Sequence, residues 1–265
     1  MNNISPLASV SPAAKIGDNV TIGPFAVVES DVVIGDGCYI MPHAIVMSYT
    51  TLGKDCTVFP GAVVGAVPQD LKFHGEISRV EIGDRVMIRE CATINRGTEA
   101  SGKFCTKIGN DTLIMSYVHI AHDCEVGNHC ILVSKTAIAG ETKIEDWAVL
   151  GGGAMVHQFS KIGAHAMVGG ASKVTKDVPP YILVDRDPIC YMGVNRTGLL
   201  RRGFTEEKVN EIKDIYETIY LSSYNVSQAL EIIQETMPAT PERDHILSFI
   251  RGSKRGVVPK PRLSR

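Results

Sequence analysis

The sequence contains few aromatic residues and no long hydrophobic run. Phe, Trp and Tyr make up 6% of the 265 residues, so we expect a narrow interior built from Ile, Val, Ala and Thr. No apolar stretch approaches the ~20 residues that span a bilayer. Residues 1–6 also lack the basic and apolar regions of a secretory signal peptide. These absences predict a soluble, cytoplasmic protein that does not span a membrane.

Net charge and cysteine content further limit the class of protein and its compartment. The formal net charge is −2, which argues against a nucleic-acid-binding protein, because such proteins usually carry a basic surface. The seven cysteines are an odd number. Four of them, Cys38, Cys56, Cys124 and Cys130, occupy a position where a thiol acts as a small apolar side chain. We therefore predict a reducing compartment.

An aliphatic residue recurs at every sixth position through residues 108–174 without a polar interruption. The recurring residues are Ile108, Ile114, Ile120, Val126, Leu132, Ile138, Ile144, Leu150, Val156, Ile162, Val168 and Val174. A helix of 3.6 residues per turn would spread this period around its surface, whereas short strands joined by tight corners return each position to the interior. The hexapeptide is the repeat of a parallel β-helix, in which three hexapeptides form one coil. Residues 18 apart should therefore stack at about the inter-strand spacing of ~4.8 Å.

The same six-residue frame begins at Ile4, so residues 1–180 are predicted to form the β-helix. Polar residues occupy the frame at about 70–81 and again at about 100–107, and these segments are predicted to leave the prism as loops. Loops that interrupt a regular repeat commonly carry binding groups.

The repeat ends at residue 180. Residues 181–204 are predicted to be an irregular linker, and residues 205–265 a small helical domain. Its three helices are predicted to begin after Thr205, Asn225 and Thr240. From Arg251 onward we predict a basic, poorly ordered tail. The predicted fold class is an all-β parallel β-helix with a small C-terminal α-helical domain.

One corner of the prism combines residues that suit acyl transfer. Adding 18 to a residue number identifies its neighbour in the same column, and His122, Gly140 and Gln158 share a column on this rule. Imidazole can take a proton from an attacking hydroxyl, and a glycine N–H that no side chain shields can bind the developing oxyanion. Asp123 follows His122 directly and is placed to orient its ring.

The histidines also have simpler interpretations. A histidine at a polar corner is usually a solvated side chain, and this alternative applies to His122. His119 and His157 fall in other columns, where a structural role is the commoner one. The outward fourth position of the hexapeptide holds His43, His129 and His165, which we predict to be surface residues.

Seven short segments resemble one family of acyltransferases. They are QDLK at 69–72, RVEIGDR at 79–85, INRGT at 94–98, HIAHDC at 119–124, VHQF at 156–159, GVN at 193–195 and RRGF at 201–204. Over nearly its full length the chain resembles the UDP-N-acetylglucosamine O-acyltransferases that begin lipid A synthesis in Gram-negative bacteria. The resemblance implies a left-handed β-helix, an exception to the right-handed crossover rule. It also implies a homotrimer with active sites in clefts between neighbouring prisms.

The resemblance implies catalytic roles for three residues. His122 is similar to the general base of the family, Asp123 to its partner and Gly140 to the oxyanion donor. Two neighbouring positions depart from the family pattern. Glu141 stands where the family often has histidine, and it cannot donate a hydrogen bond when ionised. Thr197 replaces an acidic residue, so nucleotide contacts near it should differ from those of the family.

The resemblance also implies a set of binding residues. Those similar to residues that hold the sugar, its phosphates or the acyl chain are Gln69, Asp70, Lys72, His119, His157 and Gln158. Asn195, Arg201 and Arg202 are similar to contacts to the nucleotide diphosphate and the phosphopantetheine arm, for which guanidinium groups are suited. Gly170 is similar to a residue at the far end of the acyl groove, where a missing side chain leaves room for a long chain.

The implied reaction moves an R-3-hydroxyacyl group from acyl carrier protein to the 3-hydroxyl of UDP-N-acetylglucosamine, with no metal and no cofactor. One alternative is a zinc hydratase built on the same prism, which needs three histidines from two subunits. A related N-acyltransferase normally carries a uridine-binding domain ahead of the prism, and because the repeat already starts at Ile4 we expect no such domain here. A non-catalytic repeat scaffold is the third alternative.

The basic tail, together with Arg201 and Arg202, is placed to meet an acidic carrier protein. Its basic residues are Arg251, Lys254, Arg255, Lys260, Arg262 and Arg265. The alternative for this segment is a solvated tail without a partner.

Overall fold

The computed structural model of the protein describes residues 1–260. The first strands are β1 (Asn3–Ile4), β2 (Ser9–Val10), β3 (Lys15–Ile16), β4 (Thr21–Ile22), β5 (Val27–Val28), β6 (Val33–Ile34), β7 (Tyr39–Ile40), β8 (Ile45–Val46), β9 (Thr50–Leu52), β10 (Thr57–Val58), β11 (Val63–Ala66), β12 (Arg79–Ile82), β13 (Met87–Ile88) and β14 (Thr93–Asn95). The next are β15 (Cys105–Ile108), β16 (Leu113–Ile114), β17 (His119–Ile120), β18 (Glu125–Val126), β19 (Ile131–Leu132), β20 (Ala137–Ile138), β21 (Lys143–Ile144), β22 (Val149–Leu150), β23 (Met155–Val156), β24 (Lys161–Ile162), β25 (Met167–Val168) and β26 (Lys173–Val174). The chain continues with β27 (Ile182–Asp185), β28 (Cys190–Val194), α1 (Arg196–Arg201), α2 (Glu206–Tyr220), α3 (Val226–Thr236) and α4 (Pro241–Arg251).

Three sheets form the walls of a triangular prism. Every third strand pairs in parallel, so that Ile114 of β16 lies opposite Leu132 of β19, which lies opposite Leu150 of β22. In the uninterrupted part of the repeat this offset is the predicted 18 residues. The aliphatic residues that recur through residues 108–174 point inward and are buried. The coil is left-handed, which is an exception to the usual right-handed crossover between parallel strands.

A residue in the left-handed region of the backbone occurs at nearly every corner. Asp111, Tyr117, Asp123 and His129 follow one another at six-residue intervals with φ between 55° and 61°. Asp and Asn tolerate this region better than most residues. The tight corner therefore fixes where Asp123 lies relative to the wall that precedes it.

Two loops leave the prism, at residues 67–78 between β11 and β12 and at residues 96–104 between β14 and β15. Each begins and ends three to four residues before its predicted bounds of 70–81 and 100–107. The second loop ends early because Thr106 is fully buried, so that β15 already belongs to the prism. The two loops are joined, since the N–H of Glu99 donates to Oε1 of Glu76 at 2.9 Å.

The prediction of an irregular linker at residues 181–204 is wrong. β27 pairs in parallel with β25, and β28 returns antiparallel to β27. Ile182 and Val184 are fully buried, so the hairpin covers the end of the prism. Its pairing also satisfies backbone groups that would otherwise form an open sheet edge. Asn195 then caps α1.

The tail from residue 251 is packed against the prism as far as residue 258, contrary to the prediction of poor order. Val257 bridges to Asp177, and Val258 is fully buried. The hydroxyl of Ser253 donates to Oδ2 of Asp177 at 2.6 Å. A buried carboxylate needs such donors, which explains why the segment is held here. Arg262 and Arg265 of the predicted tail lie outside the described residues.

The remaining helices form a small unit beside β28. Thr205, Asn225 and Thr240 cap α2, α3 and α4, as predicted, and Asn225 forms a capping box with Gln228. Tyr220 of α2 stacks on the Tyr191 ring of β28 at 4.4 Å. Within residues 1–260, no helix has the length and apolar character needed to cross a membrane.

Candidate active site

His122 and Asp123 form the corner between β17 and β18. The Nδ1 atom of His122 lies 2.8 Å from Oδ2 of Asp123. Because an ionised carboxylate can only accept a hydrogen bond, Nδ1 carries the hydrogen and Nε2 keeps its lone pair in the neutral ring. The ring is therefore arranged to accept a proton at Nε2.

The carboxylate of Asp123 is fully buried. The backbone N–H of Thr98 donates to Oδ1 at 2.9 Å, and the Thr98 hydroxyl donates to Oδ2 at 2.7 Å. Burial alone would raise the pKa of Asp123, but the hydrogen bonds from His122 and Thr98 help to lower this pKa below its ordinary value. The carboxylate stays ionised and can stabilise the protonated ring of His122.

The environment of His122 favours its protonated form. The hydrogen bond to Asp123 raises the pKa of His122 above its ordinary value, although partial burial acts in the opposite direction. The negative charges of Asp123, Asp70 and Glu141 raise this pKa further. Oδ2 of Asp70 lies 3.6 Å from Nε2. The ring is a stronger base for this reason, but its neutral fraction falls as the pH drops through the raised pKa.

Gly140 lies directly against the His122 ring, one coil further along the column. A Cβ atom on Gly140 would lie 2.5 Å from Nε2 and 2.6 Å from Cε1 of His122, so the ring can lie here only beside a glycine. The N–H groups of Ala139 and Glu141 donate to backbone carbonyls, whereas that of Gly140 has no acceptor among residues 1–260. A proton acceptor beside a free N–H is the pair that acyl transfer requires.

His119 lies on the outer face of the same wall. Its Nδ1 atom is 2.8 Å from the hydroxyl oxygen of Thr93. Burial lowers the pKa of His119, and the charge on His122 lowers it further. The ring is therefore neutral in neutral solution and offers one hydrogen-bond donor and one acceptor.

The loop at residues 67–78 brings three of the predicted binding residues to this corner. Gln69 lines the same groove as His119. The N–H of Lys72 donates to Oδ1 of Asp70 at 3.0 Å, and this bond lowers the pKa of Asp70. The Lys72 ammonium lies 3.5 Å from the same carboxylate. An ionised carboxylate and an ammonium group therefore border the site.

A groove of about 420 Å³ runs from His122 along the outer face of β17, β20 and β23. It is lined by Gln69, His119, Ala121, His122, Ala137, Ile138, Ala139, Gly140, Met155 and Val156. The polar residues lie at one end, and the rest of the groove is apolar. This arrangement suits a ligand with a polar head and a hydrocarbon tail.

Three further predicted residues lie beyond this groove along the prism. Gln158 is exposed and follows Gly140 in the corner column, and its carbonyl oxygen is 3.1 Å from Nδ1 of His157. Gly170 lies between β25 and β26, at the opposite edge of the wall that carries the groove. These residues extend the face on which the groove lies.

Asn195, Arg201 and Arg202 lie at a different corner, around His165. Nδ2 of Asn195 donates to the carbonyl oxygen of His165 at 2.9 Å. Nη1 of Arg202 is 3.3 Å from Nδ1 of His165, and the guanidinium carbon lies 5.3 Å from the centre of the Trp147 ring. Arg201 is exposed. A single chain therefore does not bring these three residues together with the corner that holds the candidate base.

The prediction that His165 is a surface residue is wrong. Its ring is stacked between Trp147 at 6.1 Å and Tyr181 at 5.6 Å. Burial and the charge of Arg202 lower the pKa of His165 to about 4. The neutral ring can therefore accept a hydrogen bond from Arg202. The sequence does contain a signal for this stack. His129, Trp147 and His165 are spaced 18 residues apart, so their rings fall in one column.

Three threonines of the site have no counterpart among the residues predicted from the sequence. Thr93 contacts His119, Thr98 contacts Asp123, and the hydroxyl of Thr106 accepts a hydrogen bond from the Asp123 N–H at 2.7 Å. Thr98 lies in the segment INRGT at 94–98, which is part of the family resemblance and could have pointed to a role in the site.

Two protein families match parts of the chain. Residues 177–258 match the family described as Udp N-acetylglucosamine O-acyltransferase, domain 2. Residues 31–66 and 105–140 match the family described as bacterial transferase hexapeptide, six repeats. The first match covers the C-terminal hairpin and helices, and the second lies within the prism.

Similar proteins cover nearly the full length of the chain. A protein from Chlorobium phaeobacteroides is 62% identical over 97% of both chains, and one from a Sulfurihydrogenibium species is 55% identical over 98% of this chain and 96% of its own. Both are named acyl-(acyl-carrier-protein)–UDP-N-acetylglucosamine O-acyltransferases.

Solved structures agree with these relatives. The crystal structure of a UDP-N-acetylglucosamine acyltransferase from Bacteroides fragilis is 47% identical, covers 96% of this chain and 99% of its own, and has a TM-score of 0.93. The enzyme of that name from Francisella novicida is 39% identical over 97% of this chain and 94% of its own, with a TM-score of 0.94.

Proposed function

Because this chain belongs to the family of UDP-N-acetylglucosamine O-acyltransferases and is an acyltransferase, we propose a specific reaction for it. The enzyme moves an R-3-hydroxyacyl group from acyl carrier protein to the 3-hydroxyl of UDP-N-acetylglucosamine. The proposed reaction is the first step of lipid A synthesis, takes place in the cytoplasm and uses no metal ion or cofactor. The observation that carries the proposal is the contact of His122 with Gly140 at the polar end of an apolar groove.

His122 acts as the general base in this proposal. Its Nε2 atom takes the proton of the sugar 3-hydroxyl while the hydroxyl oxygen attacks the thioester carbonyl carbon. Asp123 stabilises the imidazolium that results. When the carbon–sulfur bond breaks, the imidazolium returns the proton to sulfur, which releases the carrier thiol and leaves the ester on the sugar.

Gly140 supplies the oxyanion donor. Gly140 lies against the ring that removes the proton, and its N–H has no acceptor among residues 1–260, which supports this role. A donor already fixed in place stabilises the tetrahedral oxyanion without reorganisation during the reaction.

The remaining candidate residues bind the two substrates. We assign the sugar and its phosphates to Gln69, Asp70, Lys72 and His119, which border the polar end of the groove. The apolar part of the groove takes the acyl chain towards His157, Gln158 and Gly170. Glu141 accepts hydrogen bonds near the sugar, because an ionised carboxylate has no hydrogen to donate.

We propose that the enzyme is a homotrimer in which each site lies between two prisms. Asn195 and Arg201 lie at a different corner from His122 on the same chain. A neighbouring prism would therefore supply these contacts to the nucleotide diphosphate and to the phosphopantetheine arm. Thr197 carries no charge, so the nucleotide is held there by neutral contacts.

The two neighbouring arginines should respond differently to replacement. Arg201 is exposed, whereas Arg202 is half-buried against Trp147 and His165. Arg201→Ala should raise KM for a phosphate-bearing substrate by about 10-fold, the effect of one lost charged hydrogen bond, without changing the melting temperature. Arg202→Ala should also lower the melting temperature, because it leaves the aromatic stack uncovered. Steady-state kinetics and thermal melts of both variants check this, and equal melting temperatures for the two would contradict it.

Mass spectrometry of the product tests the proposed reaction. The purified enzyme is given a panel of acyl carrier proteins that differ in acyl chain, with UDP-N-acetylglucosamine or its 3-amino analogue as acceptor. We expect an ester on the 3-oxygen with an R-3-hydroxyacyl donor. Transfer to the amino analogue alone, or no transfer from any carrier, would contradict the proposal.

A further inference from the structure

The loop at residues 96–104 interrupts the prism next to the candidate base, and Thr98 within it contacts Asp123. The Thr98 N–H lies 2.9 Å from Oδ1 and 3.1 Å from Oδ2, and its hydroxyl lies 2.7 Å from Oδ2. Oδ2 is also the oxygen that accepts the hydrogen bond from His122 at 2.8 Å. Thr98 and the ring of His122 therefore share one carboxylate oxygen.

The loop is shaped to hold Thr98 in this position. A Cβ atom on Gly97 would lie 2.1 Å from the nitrogen of Cys105 and 2.7 Å from Oδ1 of Asp123, so the backbone can approach the carboxylate only at a glycine. The carbonyl of Thr98 accepts a hydrogen bond from the Phe104 N–H at 3.2 Å, which closes the loop. Thr98 is buried with only 1% of its surface exposed.

We propose that Thr98 is a positioning residue for acyl transfer, whose hydroxyl holds Oδ2 of Asp123 where it orients the ring of His122. The inference rests on the general-base role of His122 in the proposed function. Asp123 is fully buried, so its oxygens depend on donors from the protein. Without the hydroxyl, Oδ2 would lose its 2.7 Å hydrogen bond, and the carboxylate would interact more strongly with the donors that remain, among them Nδ1 of His122.

The Thr98 hydroxyl also limits the basicity of His122 in its pair with Asp123. A hydrogen-bond donor to a carboxylate disperses its negative charge and weakens its hold on a neighbouring proton. Loss of this donor should therefore make Asp123 hold the protonated ring more tightly. The pKa of His122 should rise, and the neutral ring should become rarer at a given pH.

Replacement of Thr98 by valine tests the proposal, because valine has nearly the same shape and lacks the hydroxyl. Thr98→Val should lower kcat by about 10- to 100-fold, the range expected for a lost hydrogen bond to a charged group, and KM should stay within about twofold. The acid limb of kcat should move to higher pH. Thr98→Ser keeps the hydroxyl and should restore kcat to within about threefold of the wild type.

A second measurement separates this proposal from the general-base proposal. NMR titration of the His122 ring without substrates should show a higher pKa in Thr98→Val than in the wild type. If His122→Ala keeps its activity, the general-base role fails, whereas the titration still reports whether Thr98 acts on the ring. If the valine variant folds poorly, Thr98→Ala is compared with Thr98→Ser in the same way.

Two results would overturn the positioning role. One is an unchanged ring titration together with unchanged kcat in the folded variant that lacks the hydroxyl. The other is a Thr98→Ser enzyme as slow as the variant that lacks the hydroxyl. A purely structural role would lower the melting temperature without moving the acid limb.

Discussion

Replacement of His122 by alanine should lower kcat by about 10²- to 10⁴-fold, the usual contribution of a general base. The ring contacts both Asp123 and Gly140, so its loss removes the proton acceptor and separates the charged partner from the substrate. The side chain is 16% exposed and lies at a corner of the prism rather than in its core. The variant should therefore fold, and its kcat can be measured with purified enzyme by mass spectrometry of the acylated sugar.

Replacement of a second histidine, His43, serves as the control for His122→Ala. His43 lies at an exposed corner in the N-terminal part of the prism, where its ring stacks on Phe25 at 5.2 Å. His43→Ala should keep the kcat of the wild type. Thermal melts of both variants should show that the prism persists. If kcat of His122→Ala stays within about threefold of the wild type, far less than a general base contributes, His122 has no part in proton transfer.

Gly140→Ala is expected to have the second largest effect, with a loss in kcat of about 10²- to 10³-fold. The added Cβ atom would lie 2.5 Å from Nε2 of His122, so the imidazole must move away from residue 140. Both catalytic groups keep their chemical identity in this variant, and only their relative position changes. The substitution therefore tests whether the geometry of the pair matters for the rate.

Gly252→Ala is a suitable control for this substitution. Gly252 caps α4, and its added Cβ atom would lie 3.2 Å from the carbonyl oxygen of Ser248, away from the groove. It should leave kcat unchanged. A Gly140→Ala enzyme with the wild-type kcat would show that the close approach of the ring to this glycine has no catalytic role.

The prism and the contact between His122 and Gly140 could be predicted from the sequence because both follow from the repeat. Each aliphatic residue at the sixth position must return to the interior, and three such steps complete a coil. Through residues 108–174 the offset between neighbours stays at 18, so column membership follows from addition. The contact between the two residues is a consequence of that regularity.

The contact between Thr98 and Asp123 could not be predicted in the same way. A loop separates them, and the offset between paired strands there is 26 residues, as for Thr93 and His119. The path of a loop depends on its own hydrogen bonds and close contacts, which do not repeat. For the same reason both loops begin and end earlier than the periodicity indicated.

The C-terminal part shows a second limit of the periodicity. β27 and β28 contain apolar residues that cover the end of the prism, but they are not spaced as hexapeptides. The segment around Val258 is similarly short, and its burial follows from the contact with Asp177. Tertiary packing of this kind leaves no periodic signal in the sequence.

The most direct test of His122 as the general base compares two titrations under the same conditions. One is the NMR titration of the His122 ring in the free enzyme, and the other is the acid limb of kcat/KM, which reports essential groups of the free enzyme. The bond to Asp123 and the charge of Asp70 raise the pKa of His122, so both midpoints should lie above the ordinary value for histidine. Asp70→Asn removes a negative charge and should move both midpoints to lower pH by the same amount. An acid limb that stays in place while the ring titration moves would contradict the assignment of His122 as the base.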